Sequence, residues 1–103
     1  MVRISKVIAE ERLADVPQEK RFWCSDGRAL KNLSELEVAL QEMKEEAFRY
    51  HSNETKNDFS NWVRDVIGDE KLSRDLQKSP TREQAVKSVA SRIAWLRSKR
   101  EAE

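Results

Sequence analysis

Two glycines, two prolines and one cysteine are all this chain has of the residues that punctuate or staple a fold. An all-β architecture needs turn residues at every strand reversal, so this scarcity excludes it. The lone Cys24 excludes an internal disulfide and fits a reducing compartment. No apolar run comes near the roughly 20 residues that a membrane span requires. The opening stretch MVRISKVIAEERLADV is too acidic and too interrupted for a secretory signal, so a cytoplasmic setting without a membrane partner is expected. Charge of one sign is missing as well, because 20 basic and 19 acidic side chains leave a net charge of +1. That balance weighs against a protein devoted to a phosphate backbone or an anionic lipid surface. One histidine and one cysteine cannot close a zinc site, and no metal or cofactor is implied.

What is present suits helices. The chain is 38% hydrophobic and 38% charged over 103 residues, the composition of one domain with a modest core and heavily charged outer faces. Ile4, Val7 and Ile8 fall at helical spacing, while Val2 and Ile4 also alternate as a strand would. Pro17 then biases Val16 toward extended backbone, so residues 1–19 read as an arm or short helix. In RFWCSDGRALKNL the strand-favouring Phe22-Trp23-Cys24, the turn signal Asp26-Gly27 and Ala29-Leu30 spell a β-hairpin. Phe22 and Trp23 must point to opposite faces, one anchoring the hairpin on the helices and the other shielding its back.

Asn32 with Glu35 has capping-box spacing, and Leu33, Leu36, Leu40 and Met43 form an apolar stripe after it. The stripe continues through Ala47 and His51 if that helix is unbroken, and a break near Met43-Lys44 is equally allowed. A polar loop follows, after which Asn57 or Asp58 caps a helix carrying Phe59, Trp62, Val63, Val66 and Ile67. Gly68 sits where a helix-ending glycine belongs, and Asp69 caps a short helix with Leu72 and Leu76. Thr81 and Gln84 open the last helix, whose stripe is Val86, Val89, Ile93 and Leu96. The pattern predicts a mainly α fold with one small β-hairpin near residues 21–31. Around that hairpin it predicts a compact bundle of about four to five helices, with a single helical domain over 20–103. The expected core is Leu33, Leu36, Leu40, Phe48, Phe59, Trp62, Val66, Leu72, Val86, Val89 and Ile93.

Residues 21–77, in the order FWCxDGRxLKNLxEL and then FRYHxNExKNDFxNWVRDVIGDEKL, resemble a family of small helical proteins of archaea and bacteria catalogued as a domain of unknown function. The matching residues are Asp26, Gly27, Leu33, Leu36, His51, Asn57, Asp58, Phe59, Trp62, Gly68, Asp69 and Leu72. Ser25 and Ser73 depart from that pattern, in which a histidine follows the cysteine and an alanine follows the leucine. The resemblance implies a helical fold and a cytoplasmic setting, and it supplies no activity. A site pairing Cys24 with that histidine would be absent from this chain.

Three constellations compete for function. His51 with Asp58, beside Asn57 and Trp62, is the one set resembling acid–base chemistry or a ligand edge. It also reads as a helix end packed on a capped helix start, which accounts for each residue without a ligand. Cys24 reads better as a buried thiol than as a nucleophile. On the last helix Trp95 lies roughly opposite the apolar stripe, with Arg92, Lys99 and Arg100 around it and Arg97 close by. Either the N-terminal arm folds Val2, Ile4 and Val7 across Trp95, or this face docks a partner. The leading expectation is a non-enzymatic module that binds a protein partner or self-associates through the C-terminal helix and the arm. Nucleic-acid binding by the basic last helix and a small-ligand or enzymatic site at His51, Asp58 and Trp62 are the alternatives.

Overall fold

A computed structural model describes residues 5–101, and among them the fold is mainly helical with one two-stranded antiparallel hairpin. Six α-helices occur: α1 (Lys6–Leu13), α2 (Leu33–Glu42), α3 (Glu45–His51), α4 (Asp58–Trp62), α5 (Glu70–Gln77) and α6 (Arg82–Glu101). Strands β1 (Phe22–Trp23) and β2 (Ala29–Leu30) pair Phe22 with Leu30 and Trp23 with Ala29.

Helix α6 is the spine. It packs against α1, α2 and α5, burying Ala85, Val89, Ile93 and Leu96. Its start fastens α2, since Arg82 Nη1 donates to the Leu40 and Gln41 carbonyls at 2.9 Å each. Those carbonyls belong to the last turn of α2, where orphan acceptors and the helix dipole favour a cation. At the other end Arg97 Nη2 donates to Ser34 Oγ at 3.3 Å, so α6 runs antiparallel along α2.

The capping residues act where the sequence places them. Asn32 Oδ1 accepts from Glu35 N, Asn57 Oδ1 from Ser60 N and Asp69 Oδ1 from Leu72 N. Thr81 and Gln84 form a reciprocal capping box, with Gln84 N donating to Thr81 Oγ1 and Thr81 N to Gln84 Oε1. The open question over α2 resolves as a break: Met43 and Lys44 are both extended, with ψ of 153° and 155°. Both Met43 and Ala47 remain buried across it.

One detail differs from the expected pattern, and the hairpin turns where it is expected to. The run from Phe59 to Ile67 is an α-helix only to Trp62, after which Val63–Ile67 forms a π-turn closed by Gly68 N donating to Val63 O at 2.8 Å. Gly68 takes φ +87°, a backbone glycine adopts without penalty, and Asp69 enters the core directly after it. In the hairpin only Gly27 has positive φ, and the Cys24 and Arg28 backbones bond across a three-residue loop, 2.8 Å from Cys24 N to Arg28 O.

The expected core is buried except at Val66 and Val86, which lie half-buried at its edge. Phe22 is the inward face of the hairpin, ring to ring with Phe59 at 5.2 Å and Trp62 at 5.9 Å. Trp23 faces out. Helix α1 is no loose arm: Ala9 is fully buried, and Ser5 Oγ caps the helix at Ile8 N.

Candidate functional site

The site on α6 is built outward from Asp69. Its backbone position at the start of α5 lets Oδ1 accept from Leu72 N at 3.1 Å. The same carboxylate receives Arg92 in a two-pronged pair, Nε to Oδ2 at 2.7 Å and Nη2 to Oδ1 at 3.0 Å. Asp69 is fully buried and Arg92 nearly so. A buried guanidinium with its planar fork filled has little freedom. Its Cζ lies 4.4 Å from the centre of the Trp95 ring, and Lys99 Nζ approaches the same ring at 5.3 Å. The indole therefore takes its position from a helix cap, through a carboxylate and a guanidinium. Trp95 is 37% exposed in that position.

Beside it lies an open groove of about 1200 Å³ between α5 and α6, with Arg12 of α1 in its lining. Lys71 and Arg74 rise from the α5 wall, Lys87, Arg92 and Trp95 from the α6 wall. Ser88 and Ser91 lie between the α6 cations, and Ser88 Oγ bonds Ser79 Oγ at 2.9 Å. Arg12 Nη1 stands 4.0 Å from Asp69 Oδ1, whose nearer partners are Leu72 N and Arg92.

The structure thus brings Arg92, Trp95 and Lys99 together and leaves Arg100 out. Arg100 falls one turn beyond Leu96 on the buried side of the helix and is half-buried there. The reading that folds the arm over Trp95 is corrected at Val7, which is 62% exposed. Helix α1 packs on α6 with Ala9 buried, and Val7, about 200° around the helix from Ala9, is turned to solvent. Val2 and Ile4 lie outside the described residues.

The His51 constellation is closed on itself. Its Nδ1 lies 2.9 Å from Asp58 Oδ2, while Nε2 accepts the backbone N–H of Ser25 at 2.9 Å. An accepting Nε2 places the ring proton on Nδ1, donating to Asp58. Both nitrogens are occupied, and Phe22, Tyr50 and Phe59 surround the ring at 4.9–5.4 Å between centroids. Burial works to raise the pKa of Asp58, but the bonds from His51 and Lys56 and the Lys56 charge outweigh it, holding the carboxyl below its ordinary value. Asn57 caps α4 and donates to Leu76 O at 3.1 Å. Trp62 is buried, its Nε1–H donating to Lys20 O at 2.8 Å. Asn57 also borders an open concavity. Cys24 is buried too, and burial, aided by the Asp26 carboxylate, pushes its thiol pKa up, away from the nucleophilic thiolate.

The outward aromatic of the hairpin is Trp23. Trp23 is 65% exposed, on the outer face of the hairpin opposite Ala29, which shares a shallow concavity with exposed Val38. Strand alternation signals that Phe22 or Trp23 faces out, and nothing in the pattern says which.

Among the described residues no cluster of His, Cys, Asp and Glu could hold a metal ion, and no helix is long and apolar enough to cross a membrane. Comparison with protein-family models, with curated proteins and with solved structures found no match.

Proposed function

We propose that this protein is a non-enzymatic interaction module that docks a protein partner in the groove between α5 and α6, with Trp95 as the fixed aromatic wall. The observation that carries this reading is the chain of support from Asp69 through Arg92 to Trp95. Holding a large aromatic partly in solvent leaves apolar area wet, a cost the fold does not need to bear for its own stability. An immobile Trp beside an Arg is the kind of surface that contributes most to protein association, because little side-chain entropy remains to be lost. The His51 constellation supports the non-enzymatic half of the reading, since neither ring nitrogen is free to move a substrate proton.

The test is capture from an extract of the protein's source by the immobilised full chain and by two variants. Partners should be retained by wild type and by Trp23→Ser, and lost with Trp95→Ala while its far-ultraviolet dichroism and melting stay near wild type. A partner set unaffected by Trp95→Ala, or no retained partner at all, overturns the reading.

A further inference from the structure

The cations of the groove differ in how fully they are matched, and that difference points to the chemistry of what binds there. Arg92 is neutralised by Asp69, and Lys71 by Asp75 at 2.6 Å. Arg74 reaches Glu70 only at 4.0 Å, and Arg12 reaches Asp69 only at 4.0 Å, behind Arg92. Lys87 has no ion pair among the described residues, and Lys99 has only the Trp95 ring. Positive charge is therefore left over at Lys87 and Arg12 in the lining of the groove and at Lys99, which lies outside that lining but against the Trp95 ring.

We propose that the groove binds an acidic protein segment, with carboxylates against Lys87, Lys99 and Arg12 and an apolar side chain against the free surface of Trp95. This rests on the docking reading above and adds the chemistry of the partner to it. A uniform polyanion fits less well. Glu70 and Asp75 stand on the α5 wall of the same groove, where every consecutive phosphate of a nucleic acid would have to pass them. A peptide with separated carboxylates can set neutral or basic residues opposite those two. Long-range attraction to the unmatched cations would speed encounter, while burial of the apolar residue on Trp95 would set the lifetime of the complex.

A random-peptide display selection against the full chain tests this. The selected pool should be enriched in Asp and Glu around an aromatic or aliphatic residue. Binding of a selected peptide should weaken by about tenfold or more in Lys87→Glu and in Trp95→Ala, and should fall with added salt. Lys87 is exposed and has no ion pair among the described residues, so its reversal leaves the fold intact. A neutral or basic pool that still depends on Trp95 overturns the acidic chemistry and keeps the docking reading. No enrichment, or a pool indifferent to Trp95→Ala, overturns both. Tighter binding of a labelled single-stranded RNA or DNA oligomer, lost in Lys87→Glu, overturns the proposal in favour of nucleic acid. Concentration-dependent growth in mass by sedimentation, abolished by Lys87→Glu, overturns it in favour of a second copy of the chain.

Discussion

Two aspartates at helix starts organise two polar nodes of this protein, and they do opposite things with the aromatic beside them. Asp58, the first residue of α4, orients His51, and the imidazole is enclosed by Phe22, Tyr50 and Phe59. Asp69, the cap of α5, orients Arg92, and the guanidinium carries an indole that stays partly in solvent. The first node spends every polar atom of the histidine on the fold. The second is satisfied underneath and left open above. The residue types that suggest catalysis sit in the closed node, and the residues with capacity to spare sit in the open one. A polar cluster is thus better judged by what remains unpaired than by which residues compose it.

The largest effects should come from unbalancing the open node from below. Asp69→Ala leaves Arg92 buried without its carboxylate and removes the α5 cap, so urea denaturation should show a loss of about 3–5 kcal/mol. Replacing both partners, Asp69→Ala with Arg92→Met, should recover a substantial part of that loss, because a charge buried alone costs more than a pair removed. If the double variant is no more stable than Asp69→Ala, the pair is not the foundation of the site and Trp95 owes its position to something else.

The closed node should cost less to break but should carry a pH signature. His51→Ala strands the Ser25 N–H and leaves Asp58 with Lys56 alone, a loss of about 1–3 kcal/mol. The bonds to Asp58 favour its charged form, so its folded pKa lies below the unfolded carboxylate value of about 3.9. A depressed carboxylate contributes stability that is complete above the unfolded pKa and disappears as pH falls through the folded one. The stability difference between wild type and Asp58→Asn should therefore be largest near neutrality and shrink below about pH 4. A difference that stays constant through that range would show that the Asp58 charge contributes nothing to the node.

Most of the helix caps and of the core could be read from the chain because their determinants are local. Asn57, Gly68, Asp69 and Thr81 act within a few residues of themselves, and the 3.6-residue period places Phe59, Trp62, Val89 and Ile93 in the core. What the sequence did not disclose is long-range. Nothing local announces that Ser25 N–H ends on His51, 26 positions away, or that Arg92 finds Asp69 across 23. Arg92 and Arg100 are the same residue type on one helix, and only the packing of α5 and α1 separates the buried strut from the bystander. Ser73 also acts through a distant partner: its hydroxyl bonds Ser60 Oγ at 2.7 Å inside the core, where an alanine would leave Ser60 one bond short.

The smallest effects distinguish the exposed tryptophans. Trp23 has no cation on its ring among the described residues and is the most exposed large apolar side chain among them, so Trp23→Ser should change stability by less than about 0.5 kcal/mol. Trp95→Ala removes the Arg92 and Lys99 contacts and part of a groove wall, and should cost about 1 kcal/mol, of which cation–π attraction at a partly exposed site supplies half or more. Both variants should unfold cooperatively with unchanged denaturant slopes, because neither side chain bridges the core. A loss of about 3 kcal/mol or more for Trp95→Ala would be the cost of a core aromatic. The indole would then belong to the fold, and the contrast between a closed node and an open one would fail at the residue that defines it.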